Sequence, residues 1–176
     1  RGRRREISWD QLRAEVARVA DGLRAVGVVA GDRVAGFMPN LPEAIVAMLA
    51  TSSIGATWSS CSPDFGIRGV LDRFGQIAPK VLFTADGYCY GGKTLDSIER
   101  IAGILESLPS VTCVVVVANV GPRPDLARLP EARRYEEFGQ ADATLRFERL
   151  PFNHPLCILY SSGTTGVPKC IVHGAG

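Results

Sequence analysis

Short apolar runs alternate with helical stretches along most of this chain, and that alternation most constrains how it can fold. Five runs have the length and composition of buried strands: 33–38, 57–60, 80–84, 112–117 and 156–160. Strands that alternate with helices predict an α/β domain with a largely parallel sheet. We therefore expect three layers, with the sheet between helices, and a ligand at the carboxyl ends of the strands.

Cap and turn residues set the predicted helix ends. Ser8 and Gln11 have capping-box spacing at the start of a first helix, and Gly27 can end it. A second helix is predicted to start at Asn40, with Pro42 in its first turn. Three further helices are predicted over 67–77, from a Thr94 cap to about Leu108, and, as a short segment, over 134–138. The rest of 118–150 is predicted to be a surface excursion.

Composition bounds the class of protein. The chain has 176 residues, of which 46% are hydrophobic, enough for a core of one-domain size. Its net charge of +2 gives no reason to expect nucleic acid or an anionic membrane as a partner. No apolar run is long enough to span a bilayer, and no signal peptide is present. Five scattered cysteines favour reduced thiols and a cytoplasmic location, and no zinc-ligand spacing occurs.

A loop rich in glycine and hydroxyl groups follows the last predicted strand. Between Tyr160 and Lys169 lie four hydroxyl side chains and two glycines. Glycines let backbone N–H groups approach an anion, and hydroxyls and a lysine add further donors. The pattern indicates a phosphate-binding loop. The alternative interpretation is a polar turn between two strands.

The loop does not match the two standard nucleotide fingerprints. Pro168 stands where the Walker pattern needs glycine, and Gly163 and Gly166 lack the third glycine of the dinucleotide pattern. It does resemble the phosphate-loop motif of the adenylate-forming superfamily, [ST]-[SG]-G-[ST]-T-G-x-P-K. The matching positions are Ser161, Ser162, Gly163, Thr164, Thr165, Gly166, Pro168 and Lys169.

Segments elsewhere resemble one branch of that superfamily, the acetoacetyl-CoA synthetases. They are 32–40, 58–66, 70–76, 80–87 and 169–173. This resemblance implies an acid–thiol ligase that forms acetoacetyl-AMP and pyrophosphate from acetoacetate and ATP, then transfers the acyl group to CoA. Two alternatives stay open: a related acyl-CoA or acetyl-CoA synthetase acting on another short acid, and a non-catalytic nucleotide-binding module.

The resemblance also implies roles for particular residues. The loop Ser161–Lys169 would hold the β- and γ-phosphates of ATP with Mg²⁺, and Lys169 would be a positioning cation. The adenylation lysine would lie in a small C-terminal lid domain, so residues 1–176 would be a partial, N-terminal domain of the adenylate-forming fold. No catalytic residue is then expected in the chain, and the chain alone is expected to be inactive. Gly91, Gly92 and Lys93 fall where related synthetases place basic residues against the nucleotide end of CoA; a turn with a solvated lysine is the alternative.

Four further residues are of types that can act as nucleophiles or metal ligands, but the sequence around them does not indicate such roles. Cys61 has no histidine nearby in the sequence, so a Cys–His nucleophile is not expected. Asp64, Asp72 and Asp86 are predicted to be turn or surface residues instead of metal ligands. We therefore predict no protein-bound metal cluster in this chain.

Overall fold

The computed structural model describes residues 5–162 and 166–176. The described residues form four α-helices: α1 (Trp9–Ala25), α2 (Pro42–Ser53), α3 (Ile67–Ile77) and α4 (Ile98–Leu105). They also form nine strands: β1 (Arg33–Phe37), β2 (Thr57–Cys61), β3 (Val81–Ala85), β4 (Gly87–Tyr90), β5 (Lys93–Asp96), β6 (Cys113–Val117), β7 (Ala132–Arg134), β8 (Pro155–Ser161) and β9 (Lys169–Gly174). No helix within these described ranges is both long and apolar enough to cross a membrane.

Seven of the strands form one sheet, in the order β7-β6-β3-β1-β2-β8-β9. Every neighbouring pair is parallel except β8 and β9, which are antiparallel. The predicted α/β fold with a largely parallel sheet is therefore confirmed. The parallel strands have their carboxyl ends at the same end of the sheet, and the predicted phosphate loop follows β8 at that end.

Helices cover both faces of the sheet. On one face Leu23 of α1 and Ala47 of α2 lie in a core with Phe83. On the other face Phe74 of α3 and Ile101 of α4 lie in a second core. Successive strand residues point to opposite faces of the sheet, so alternate residues of β6 pack into the two cores. Every position of β6 is therefore buried. This is the predicted three-layer arrangement.

The first two helices begin differently. Ser8 caps α1, and the reciprocal bonds with Gln11 form the predicted capping box. The predicted start of α2 at Asn40 is wrong, because its N-cap is Leu41, whose side chain makes no capping hydrogen bond. Pro42 occupies the first helical turn, where its missing N–H costs no intrahelical bond.

The predicted helix from Thr94 is wrong in its first turn. Gly91 and Gly92 both have positive φ, +56° and +77°, as a two-residue hairpin turn requires. Thr94 therefore pairs with Cys89 in the antiparallel β4–β5 hairpin. Helix α4 begins only at Ile98, whose N–H donates to the Asp96 carboxylate at 2.8 Å.

The segment 118–150 contains structure that the pattern did not indicate. Strand β7 adds to β6 in parallel, and a 3-10 turn follows over Tyr135–Glu137 in place of the predicted short helix. The buried Arg18 guanidinium anchors this turn, donating to the carbonyls of Tyr135 at 2.7 Å and Phe138 at 2.6 Å. It also pairs with the carboxylate of Glu15 at 2.7 Å. One charged side chain thereby attaches α1 to the β7 edge of the sheet.

Candidate functional site

The described part of the predicted phosphate loop lies between two paired strands. Ser161 is the last residue of β8 and pairs directly with Lys169, the first residue of β9. Directly opposed residues of an antiparallel pair project from the same face, so the Ser161 hydroxyl and the Lys169 side chain leave the sheet together. Gly163, Thr164 and Thr165, three residues of the predicted site, lie outside the described residues.

The C-terminal side of the loop combines an unusual backbone with an exposed cation. Gly166 has φ +109°, a conformation that side-chain-bearing residues rarely adopt, and an added Cβ would meet open space there. Lys169 is exposed, and no ion pair joins its ammonium to any described carboxylate. A flexible ammonium without a protein counter-ion is free to bind an anion that enters the loop.

Tyr160 anchors the strand that leads into the loop. Its ring packs against the α3–α4 core, and its hydroxyl is joined to the Ser59 hydroxyl at 2.8 Å. Burial raises the pKa of the Tyr160 phenol, so it stays neutral. The Ser59 hydroxyl also donates to the Ile158 carbonyl at 2.9 Å. Because β8 and β2 share only a short ladder, these bonds help to fix β8 against the sheet.

A cleft of about 480 Å³ opens at the carboxyl ends of β1 and β2. One wall carries Asn40 and Ser62, which follow those strands, and the other carries Tyr88 and Tyr90 of the β4–β5 hairpin. Arg100 supports the opening: its guanidinium donates to the Pro63 carbonyl at 2.6 Å. Described residues of the phosphate loop do not line this cleft.

The three residues predicted to meet CoA lie at the tip of the same hairpin. Gly91 and Gly92 form its turn, with open space where a Cβ would stand, and Lys93 begins β5 with an exposed side chain. Lys93 is not part of the cleft lining. The structure therefore places two predicted sites at different positions: one at the β8–β9 loop and one at the β4–β5 hairpin beside the cleft.

Cys61 lines the cleft, but its surroundings oppose nucleophilic chemistry. The residue is buried, and burial raises the pKa of its thiol to about 12, although the charge of Arg73 acts in the other direction. A thiol with that pKa is protonated at neutral pH and is a poor nucleophile.

Asp86 is a turn residue, as predicted, but it is not a surface residue. Its buried carboxylate accepts backbone N–H bonds from Asn119 at 2.8 Å, Val120 at 3.0 Å and Gly121 at 3.0 Å. Three backbone donors satisfy the charge, so the group joins the ends of β3 and β6. Within 5–162 and 166–176, no three His, Cys, Asp or Glu side chains are grouped so that they could hold a metal ion.

A parallel α/β sheet with a glycine- and hydroxyl-rich loop at the carboxyl ends of its strands is an architecture of nucleotide-binding proteins. The family model described as "AMP-binding enzyme" matches residues 1–176, and the chain belongs to that family. It is 56% identical over 173 residues to the acetoacetyl-coenzyme A synthetase of Rhizobium meliloti (strain 1021), covering 97% of this chain and 26% of that protein. It is 48% identical over 178 residues to the acetoacetyl-CoA synthetase of Gallus gallus, covering 97% and 27%.

A solved structure gives the same picture of the fold. The acetoacetyl-CoA synthetase from Streptomyces lividans superposes with a TM-score of 0.90 at 47% identity, over 97% of this chain and 26% of that one. The seven-stranded sheet and its helices therefore correspond to part of a synthetase fold. The chain spans about a quarter of the length of the curated relatives it matches.

Proposed function

We propose that residues 1–176 are the N-terminal part of an AMP-forming acid–thiol ligase that converts acetoacetate, ATP and CoA to acetoacetyl-CoA, AMP and pyrophosphate. The observation that carries this proposal is the similarity of nearly the whole chain, phosphate loop included, to acetoacetyl-CoA synthetases. The adenylation lysine and the lid domain that carries it would belong to the remainder of the protein.

The proposed reaction has two steps, formation of the acyl adenylate and transfer of the acyl group to CoA. A carboxylate oxygen of acetoacetate forms a bond to the α-phosphorus of ATP, and the bond to the bridging oxygen breaks to release pyrophosphate. The CoA thiol then gives its proton to water, its sulfur bonds to the acyl carbon, and AMP leaves with the electron pair of the acyl–oxygen bond. Enzymes assist such phosphoryl chemistry mainly by positioning and charge stabilisation.

The phosphate loop would supply part of that stabilisation. Ser161, Ser162, Gly163, Thr164, Thr165, Gly166 and Lys169 would bind the β- and γ-phosphates, with Lys169 as a positioning cation. Two described features support this role: the exposed Lys169 beside Ser161, and the open backbone at Gly166. Lys169 is engaged in no described ion pair that ATP would first have to break.

The residues of the phosphate loop suit Mg²⁺ only when the ion is bound together with the nucleotide. Mg²⁺ prefers oxygen ligands, keeps several waters and is commonly bound through substrate phosphates. The loop offers hydroxyl oxygens at Ser161 and Ser162, whereas no metal-binding group of acidic residues occurs in the described part of the chain. When bound, the ion neutralises phosphate charge; the residues of this chain would hold the phosphates and a small share of its coordination sphere.

The β4–β5 hairpin would receive the nucleotide end of CoA. Lys93 places an exposed ammonium beside two glycines whose added Cβ atoms would meet nothing, which leaves room for a phosphate. The neighbouring cleft gives space for the rest of such a ligand. We propose a cytoplasmic enzyme, since its five scattered cysteines favour reduced thiols. Its substrates would be small molecules, since the charge balance gives no reason for nucleic-acid binding.

The test is acid-dependent ATP–pyrophosphate exchange in the full-length protein. Acetoacetate, acetate and a long-chain fatty acid are compared at equal concentration, and AMP release is followed after addition of CoA. We expect acetoacetate to support the fastest exchange and CoA-dependent AMP release. Preference for acetate would replace the proposed acid with another short one, and no exchange with any acid would favour a non-catalytic nucleotide-binding module.

A further inference from the structure

Helix α3 contacts both strands that carry the phosphate loop. Its Arg73 guanidinium lies over the ring of Tyr160, 5.7 Å from the centroid, on the strand that enters the loop. One turn further along, the Gln76 amide donates at 2.8 Å to the carbonyl of Pro168, the residue directly before the strand that leaves the loop. Residues three apart on a helix share a face, so one face of α3 supports the two sides of the loop.

The Gln76 amide is held from two sides. Its nitrogen donates one hydrogen to the Asp72 carbonyl of its own helix at 2.6 Å and the other to Pro168. A side-chain amide nitrogen has two N–H donors, so both are used. The bond to the helix backbone fixes the direction in which the second N–H points. Gln76 therefore connects helix α3 to the loop through a side-chain amide that is held at both of its N–H groups.

Few other contacts hold this side of the loop. Pro168 has no N–H, so only its carbonyl can bond to a neighbour. In the described parts of the chain, the bond from Gln76 is the one side-chain hydrogen bond that reaches 166–168 from another element. Lys169 follows directly, and its pairing with Ser161 is the last described rung of the β8–β9 ladder. The position of Pro168 thus helps to set where the Lys169 side chain begins.

We propose that Gln76 is a positioning residue for MgATP: it holds the C-terminal side of the phosphate loop at α3 and thereby places Lys169 and the backbone of Gly166. This rests on the proposed function, because it takes the loop to be the ATP site. Gln76 would touch no substrate. Its removal would let the loop adopt other arrangements, and ATP binding would then bear the cost of restoring the right one.

The test uses Gln76→Met in the full-length protein, since methionine has the same length and no N–H donor. We expect the KM for ATP in ATP–pyrophosphate exchange to rise about 3- to 10-fold, the factor that loss of one neutral hydrogen bond gives. The KM for the acid should stay the same. Arg68→Ala, an exposed substitution on the same helix, is the matched control and should change neither KM nor the melting temperature.

Two further variants separate positioning from general stability. Gln76→Lys restores a long side chain with donors and should recover much of the ATP affinity, whereas Gln76→Glu has no donor and should be at least as poor as methionine. Equal rises in KM for ATP and for the acid, or a lysine variant no better than methionine, would overturn the inference.

The proposed function fails in a different way. One outcome is that wild-type protein catalyses no exchange and still binds MgATP in a calorimetric titration. In that case the dissociation constant for MgATP is measured for each Gln76 variant, and we expect it to rise about 3- to 10-fold in Gln76→Met. Wild-type protein that binds no MgATP would remove the proposed site and the inference with it. Normal MgATP binding by both wild type and Gln76→Met would overturn the inference alone.

Discussion

The two edges of the sheet treat a positive charge in opposite ways. At the β7 edge, the Arg18 guanidinium is buried, donates to two carbonyls and pairs with Glu15. At the β9 edge, Lys169 is exposed and has no ion pair with a described residue. A charge whose hydrogen-bonding capacity is used inside the protein stabilises the fold, and a charge left unused can bind a ligand. The first edge attaches a helix to the sheet, and the proposed ligand-binding role belongs to the second.

Packing at the two edges differs in the same sense. Gly139, after the 3-10 turn, approaches Gly22 of α1 so closely that an added Cβ on Gly139 would overlap the Arg18 carbonyl oxygen. On β9, by contrast, Ile171 and Val172 are 44% and 57% exposed. A strand edge with exposed apolar side chains is able to pair with further chain. Substitutions at the β7 edge should therefore change stability, and substitutions at the phosphate loop should change ATP use.

The largest effect is expected at the β7 edge, from Gly139→Ala. The new methyl group would collide with backbone that α1 cannot move, in addition to the strain of φ +85°. We expect a loss of about 4 kcal/mol or more in the free energy of unfolding. Chemical denaturation of wild type and variant measures it.

Gly31 offers a matched control for that substitution. It has nearly the same φ, +87°, but an added Cβ would meet no atom within 4 Å. Gly31→Ala should therefore cost only the conformational strain, roughly 1–2 kcal/mol. Equal losses in the two variants would show that the close approach at Gly139 is not what matters.

A smaller and different effect is expected at the phosphate loop, from Lys169→Ala. Loss of one charge-assisted contact to phosphate should weaken MgATP use by about 1.5–3 kcal/mol, measured as kcat/KM for ATP in pyrophosphate exchange. Stability should stay within about 0.5 kcal/mol of wild type, as for most exposed substitutions. Lys169→Arg should rescue only in part, because a planar fork replaces a compact ammonium poorly. Unchanged exchange in the alanine variant would remove Lys169 from the site.

The fold could be predicted from sequence wherever a local pattern coincided with the tertiary contacts. The bounds of α3, Ile67 and Ile77, match the prediction because the apolar period and the following proline agree. The prediction at Thr94 failed because a threonine is also a good strand residue, and the Gly91-Gly92 turn decided between the two. Strand β7 was missed because three residues of mixed polarity carry no period; its pairing with β6 defines it.

In the candidate site, too, features formed by neighbouring residues could be predicted, and contacts between distant residues could not. The candidate phosphate loop, which stays a prediction, could be proposed from the sequence because its glycines, hydroxyls and lysine lie within ten consecutive residues. Gln76 and Arg100 could not, because each acts through a carbonyl far away in the sequence: Pro168 for one and Pro63 for the other. A backbone carbonyl accepts a bond whatever residue it belongs to, so no sequence signal marks such a contact. Supporting residues of this kind become visible only when the chain is folded.

The smallest expected effect concerns the ion pair at the β7 edge and appears as a pH dependence. The hydrogen bond from Arg18 lowers the pKa of Glu15 below its ordinary value near 4.5, although partial burial acts in the other direction. A carboxyl group with a lowered pKa in the folded state contributes stability above its unfolded pKa, and the contribution disappears as the pH falls through the folded pKa.

Glu15 is 38% exposed, so solvent screens its ion pair with Arg18 and we expect only about 0.5 kcal/mol at neutral pH. Glu15→Gln should therefore be slightly less stable than wild type in urea at pH 7, and the difference should close as the pH falls below the lowered pKa of the folded state. Glu136→Gln, an exposed change in the neighbouring 3-10 turn, should show no such pH-dependent difference. A Glu15→Gln deficit that persisted unchanged in acid would mean that the side chain acts there through packing or its bond to the Tyr135 hydroxyl, and not through its charge.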